Sequence, residues 1–138
     1  MPIDLSTYAE AIAQAIADGT ICVLATAGED GMPDIGLKGS MMVFDQEHLA
    51  YWERTRGRHL ENLRRTPGAA VLYYNRGRGK YVRFFGQAEL YEDGPIREQV
   101  MQMTVAAELD RDPERKGIAV LIRVDRVEDP YGDGSQQR

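Results

Sequence analysis

Apolar residues first recur at a helical interval: Leu5, Tyr8, Ile12 and Ile16 form one stripe among alanines. Asp4 or Ser6 is available as N-cap and Gly19 as the stop, so the spacing predicts a capping helix over residues 5–18. The period then changes. Ile21–Ala27 is a continuous apolar run, and Gly28-Glu-Asp-Gly31 reads as a hairpin turn. Residues 34–44 form the next extended stretch, with Gly36 and Gly39 around Lys38. Glycine weakens a strand and often marks a bulge or a close approach of ligand to backbone. After Asp45-Gln-Glu47 the chain returns as Leu49–Trp52 and passes an arginine-rich turn. It then enters a short helix that carries Leu60 and Leu63 inward and that Pro67 and Gly68 stop.

The second half continues the strand pattern. Ala69–Tyr74 is followed by a cationic glycine turn, Asn75-Arg-Gly-Arg-Gly79, and by a long strand, Tyr81–Tyr91, with a bulge expected at Gly86. Asp93-Gly-Pro95 starts an amphipathic helix with Ile96, Val100, Met103 and Ala107 on one face. Pro113 and Gly117 interrupt it, Arg111–Lys116 reads as a surface loop, and Ile118–Val124 is the last strand. Residues 129–138 are polar and glycine-containing, a tail expected to fray. Six strands with mostly hairpin-length links, and helices only at the edges, predict a mainly β fold: a six-stranded antiparallel split β-barrel with capping helices. The strands are apolar on both faces, as expected where one face fills the barrel and the other is covered. A homodimer is the simplest cover.

Composition narrows the function classes. At 138 residues the chain is read as a single domain with a real core. No apolar run approaches the ~20 residues of a membrane helix, and the acidic start, Met1-Pro-Ile-Asp-Leu5, lacks a signal-peptide core. The net charge of −5 counts against nucleic acid as a partner and points its arginine clusters at a small anionic ligand. The single cysteine, Cys22, allows no internal disulfide, so a cytoplasmic home is the default. With two histidines and one cysteine, a dedicated zinc site is not expected.

The chemistry gathers at residues 49–67. Arg54, Arg56 and Arg58 stand where a strand becomes a helix, a place where backbone N–H groups are free and the helix dipole favours an anion. Guanidinium forks match phosphate oxygens. The alternative for these arginines is plain solvation. Trp52 reads equally as a core aromatic, Glu53 as an ion-pair partner of Arg54 or Arg56, and His48 as a solvated side chain. Tyr73, Tyr74 and Tyr81 suit an interface, and Arg76, Arg78 and Lys80 a solvated turn.

Several motifs in order carry a resemblance: Leu24-Ala-Thr26, Asp30-Gly-Met-Pro33, Leu37-Lys-Gly-Ser40, Tyr51–His59 with Asn62-Leu63 and Pro67, and Val82-Arg-Phe-Phe-Gly86. Together, over about residues 21–127, they resemble the FMN-binding split-barrel family, the pyridoxamine 5'-phosphate oxidase-like proteins. The resemblance implies that Arg58 takes the place of the phosphate arginine, with His59 where a lysine is usual. Lys38 matches the cation on the neighbouring strand. It further implies that Gly39, Ser40 and Met41 border the isoalloxazine edge, and that Trp52, Glu53, Arg54 and Thr55 line the flavin and ribityl chain. Arg83 resembles a residue that contacts flavin across a dimer interface. The chain departs from authentic pyridoxamine 5'-phosphate oxidases at Pro33 and Asp34, where an arginine is usual, and in stopping soon after its last strand. What is implied is an FMN-binding oxidoreductase that acts on a small molecule or takes electrons from a small donor. The superfamily also accommodates F420 and haem, and a non-enzymatic flavin-binding module is the rival outside enzymes. A histidine in place of the lysine makes phosphate affinity pH-sensitive, because an unperturbed imidazole titrates near pH ~6.5.

Overall fold

The structure, a computed structural model, describes residues 2–138. A 3-10 turn at Ser6–Tyr8 leads into α1 (Ala9–Ala13), β1 (Cys22–Ala27), β2 (Pro33–Lys38), β3 (Met42–Val43) and β4 (His48–Glu53). Then follow α2 (Arg58–Arg65), β5 (Gly68–Asn75), β6 (Lys80–Tyr91), α3 (Gly94–Met103), α4 (Ala106–Leu109), β7 (Ile118–Asp129) and β8 (Gly134–Gln137). The strands form one antiparallel sheet in the order β2-β1-β5-β6-β7-β4-β3, with β8 paired to β7, and it curls into a half-barrel.

The sheet has eight strands where the sequence pattern suggested six. Residues 34–44 do not run straight: the chain turns at Gly39-Ser40, where the Met41 amide reaches back to the Lys38 carbonyl, and this splits β2 from β3. The tail expected to fray pairs instead as β8. Its Gln136 side chain is buried and acts as a backbone substitute, accepting from the Asp4 amide (2.8 Å) and donating to the Asp4 carbonyl. The opening helix is also shorter than its apolar stripe. Only Ala9–Ala13 is α-helical, and residues 14–19 leave it through tight turns that end at Gly19, whose φ of +78° is the left-handed geometry glycine accepts readily.

Register sorts the faces. Gly36, Leu24, Val71, Phe84 and Val127 lie in one row across β2, β1, β5, β6 and β7, and point into the barrel. The next row outward-facing is Ile35, Ala25, Ala70, Phe85 and Arg126; beside it run Leu37, Val23, Leu72 and Arg83. Of these, Ile35 and Leu37 are 70% and 66% exposed, a large apolar display for one sheet face. The β6 bulge falls between Phe85 and Gly86, as expected, because a Cβ at residue 86 would strike the Arg123 carbonyl. A second core lies between β4 and α3, built from Met42, Ala50, Trp52, Val100, Ala119 and Leu121. Among the described residues, no helix is long and apolar enough to cross a membrane.

Candidate functional site

The half-barrel is closed at its seam by side chains. Lys38 on β2 and Glu53 on β4 belong to strands that are not neighbours in the sheet, yet the Lys38 ammonium lies 2.9 Å from Glu53 Oε1 and over the Tyr51 ring. Glu53 is almost completely buried. Its other oxygen accepts from the Thr55 hydroxyl (2.8 Å) and from the Thr55 and Arg56 amides. Burial alone would raise this carboxyl, but the Lys38 ammonium and the hydroxyl and amide donors outweigh it and hold it below the ordinary glutamate value. Glu53 thus fixes the turn that follows β4. Arg56 sits in that turn at φ +52°, a left-handed conformation that costs a β-carbon residue energy and persists only where its surroundings enforce it.

Beyond this anchor, α2 begins uncapped. No side chain bonds to its first amides, so they remain available to an anion. Arg54, Arg58 and, far away, Arg76 are the arginines that have no hydrogen-bond or ion-pair partner among the described residues. Two of these three flank the same turn. Arg58 also lines a cleft of about 580 Å3 between the β1–β2 turn and α2, with Glu61 and Arg65 beside it on the helix and Glu29, Asp30 and Asp34 opposite. The cationic turn therefore faces an acidic wall.

His59 is held from behind. The Asn62 amide donates to the Thr26 hydroxyl (3.0 Å), and that hydroxyl meets His59 Nδ1 at 2.7 Å. The network that uses each donor once places the Thr26 proton on this bond and the imidazole proton on Nε2. Burial lowers the His59 pKa below its ordinary value; Lys38 acts in the same direction, while Asp34 and Glu53 oppose it. This Thr26–Asn62–His59 network is absent from the sequence reading, and only the Thr26 and Asn62 motif positions hinted at it.

The glycines of the β2 region serve the chain itself. A Cβ at Gly36 would lie 2.9 Å from His59 Nε2, and one at Gly39 would lie 2.7 Å from Glu108 Oε2. The Ser40 hydroxyl is committed to the Trp52 backbone, accepting from its amide (2.9 Å) and donating to its carbonyl, and Met41 is buried beside it. Trp52 turns to the opposite side of β4 from Glu53. Its Nε1 donates to Asp112 (2.8 Å) and the Arg97 guanidinium covers its ring at 4.8 Å. Thus Lys38, Glu53, Arg54, Thr55, Arg58 and His59 gather around one turn, whereas Trp52 belongs to the second core. Arg83 lies on the outer face of the sheet, paired with Glu128 at 2.5 Å and stacked near Tyr81 and Phe85. The loop before β7 is largely exposed, as expected, but pinned from within: Asp112 is buried and accepts from the Lys116 and Gly117 amides, and Arg97 donates to the Arg115 and Gly117 carbonyls. The Cys22 thiol is buried, which pushes its pKa up to about 12 and keeps it unreactive.

A family model described as pyridoxamine 5'-phosphate oxidase matches residues 8–128. A comparison with functionally curated proteins found no match. Among solved structures, a putative pyridoxamine 5'-phosphate oxidase from Lactobacillus delbrueckii is 29% identical, over 91% of this chain and 98% of its own, with a TM-score of 0.67. Group A Streptococcus HupZ is 24% identical, over 94% and 98% of the two chains, with a TM-score of 0.72. Three more distant structures share the fold: an FMN-binding protein from Syntrophomonas wolfei, an F420 reductase and a haem-binding protein from Mycobacterium smegmatis. They are 11%, 18% and 21% identical, at TM-scores of 0.69, 0.62 and 0.67.

Proposed function

We propose that this chain, which belongs to the pyridoxamine 5'-phosphate oxidase family, binds FMN as a homodimer and works as a cytoplasmic flavin-dependent oxidoreductase on a small-molecule substrate. The observation that carries this reading is the uncapped start of α2, flanked by the partner-free Arg54 and Arg58. Unpaired guanidiniums beside free helix amides suit a phosphate, through charge and through bidentate hydrogen bonds.

The residues fit FMN at this end of the site. Arg54, Arg58 and the first α2 amides are the phosphate ligands, and Thr55 is the hydroxyl nearest them in the turn. Glu53 acts by holding the turn in place rather than as a flavin acceptor, because both of its oxygens are already bonded. Lys38 reaches the site with its charge largely offset by Glu53, so it contributes a hydrogen-bond donor more than net positive charge. FMN, when bound, supplies hydride or single-electron chemistry that no side chain offers. The chain's task is to bind, orient and exclude water.

The homodimer is supported by the outer sheet face. Ile35, Leu37, Val23, Leu72, Ala70 and Phe85 form a continuous apolar surface with Arg83 at its edge, which a second copy would bury. The F420 and haem alternatives rest on distant structures of the same fold.

The test is FMN titration of the purified protein, followed by flavin fluorescence and the visible spectrum. Binding that weakens at least ~tenfold in Arg58→Ala supports the reading; tenfold corresponds to about 1.4 kcal/mol, within the range of one charge-assisted hydrogen bond. A Soret band, or binding of F420 but not FMN, replaces the cofactor. Bound FMN without turnover of any reduced nicotinamide favours the non-enzymatic module.

A further inference from the structure

Behind His59 the hydrogen bonds run in one direction only. They start at Arg65, in the last turn of α2, whose guanidinium donates to Asn62 Oδ1 (2.9 Å). A guanidinium cannot accept, so this bond fixes which end of the Asn62 amide is oxygen. Asn62 Nδ2 is then the group that donates to the Thr26 hydroxyl (3.0 Å). That hydroxyl makes one further bond among the described residues, to His59 Nδ1 at 2.7 Å, so its proton has no other acceptor. Nδ1 accepts, and the imidazole proton stays on Nε2. Thr26 and Asn62 are only 4% and 2% exposed, so water does not compete for these bonds.

The free end is Nε2. It has no partner among the described residues and lies in the gap between α2 and β2, where a Cβ at Gly36 would come within 2.9 Å of it. Arg58 precedes it in the uncapped first turn of α2, Asp34 and Lys38 face it from β2, and Glu53 from β4. A lone pair at this point would repel a ligand oxygen, whereas an N–H attracts it.

We propose that Arg65, Asn62 and Thr26 are positioning residues that hold His59 in its neutral Nε2–H tautomer, so that the ligand meets a proton there and never a lone pair. What Nε2–H meets rests on the FMN reading: an oxygen of the phosphate held by Arg54 and Arg58. Protonation would add a proton at Nδ1 and leave the Thr26 hydroxyl without an acceptor. Nε2–H itself is present in both charge states. The donor is therefore insensitive to the titration that a histidine in this place suggests from sequence.

Nitrogen NMR of the full chain with labelled histidines, near pH 8, reads the tautomer directly, and His48→Gln assigns the only other histidine. The wild type is expected to show Nε2–H at His59. Asn62→Asp turns the amide donor into an acceptor that draws the Thr26 proton, so His59 is expected to change to Nδ1–H. Arg65→Met, at an exposed position, frees the amide to turn over and is expected to give a mixture. FMN is expected to move the Nε2 resonance of the wild type, and riboflavin to leave it in place. Thr26→Ser keeps the hydroxyl and is expected to hold FMN affinity within about twofold, while Thr26→Val weakens it about three- to tenfold. Circular dichroism checks that each variant is folded. The proposal is overturned by Nδ1–H or an imidazolium in the wild type, by an unchanged tautomer in Asn62→Asp, or by equal FMN affinity in Thr26→Ser and Thr26→Val. Nε2–H in a chain that binds no FMN overturns the flavin reading and the phosphate end of this proposal together, which the tautomer distinguishes from failure of the relay.

Discussion

Consecutive residues of β4, Trp52 and Glu53, feed two charged clusters of opposite character. Trp52 faces α3, where Asp112 accepts from its indole and from two backbone amides, and Arg97 stacks on its ring while capping two carbonyls. Every charge there has an internal partner. Glu53 faces the seam, where it is equally well bonded, but the turn it holds carries Arg54 and Arg58 with none. One cluster is a lock between β4 and the loop before β7. The other is a rigid support beneath free cations. Both are rich in arginine and carboxylate, so composition does not distinguish them; the difference lies in which donors are already spent.

The comparison breaks most readily at its shared support. Glu53→Ala strands the Lys38 ammonium in the seam and removes the acceptor for the Thr55 and Arg56 amides, so a loss of about 3–5 kcal/mol is expected in urea unfolding. A loss below about 1 kcal/mol would mean that the seam is not closed by this pair. The same carboxyl sets an acid limit. Its folded pKa lies below its unfolded value of about 4.5, so its stabilisation is complete above that pH and is lost as pH falls through the folded value. Unfolding midpoints between pH 3 and 6 are expected to show a falling limb that Glu53→Gln flattens.

Next in size is the lock itself. Asp112→Ala leaves the Trp52 indole and two amides without an acceptor, at about 1–3 kcal/mol. Because that cluster has no part in the turn, FMN affinity is expected to stay within about twofold. A parallel loss of FMN binding would join the two clusters that the structure separates.

Arg58→Ala reverses this pattern. An exposed side chain without partners is expected to change stability by less than about 0.5 kcal/mol while costing FMN at least ~tenfold in affinity. The smallest effect belongs to His59. Its folded pKa is depressed below the ordinary 6.5, so the unfolded chain binds the proton more readily and stability falls as pH drops from 6.5 towards the folded value. His59→Gln is expected to remove that slope, read from unfolding midpoints between pH 5 and 7.

The succession of strands along the chain, the hairpin at residues 28–31 and the bulge at Gly86 were legible because local patterns encode them: apolar runs, paired glycines and a glycine inside a long strand. The break between β2 and β3 was not, since Gly39-Ser40 is compatible with an extended strand and bends only because Ser40 bonds to Trp52 across the seam. The last strand was hidden for a similar reason. Polar Gln136 is buried only through its exchange with Asp4, more than a hundred residues away. At the site, Arg54 and Arg58 were visible as types in a turn. The partner of Glu53 was not, because Lys38 reaches it through the curl of the sheet rather than along the chain. The same holds for Trp52, which reads in sequence as a core aromatic or a flavin neighbour and whose indole bonds to Asp112, sixty residues away.

The phosphate turn is tested most directly by comparing FMN with riboflavin, which differ only in the phosphate, on the wild type and on Arg54→Ala/Arg58→Ala. The wild type is expected to bind FMN at least ~tenfold more tightly than riboflavin, and the double variant to bind the two alike. A preference for FMN that survives in the double variant, or no preference in the wild type, would contradict a phosphate held between β4 and α2.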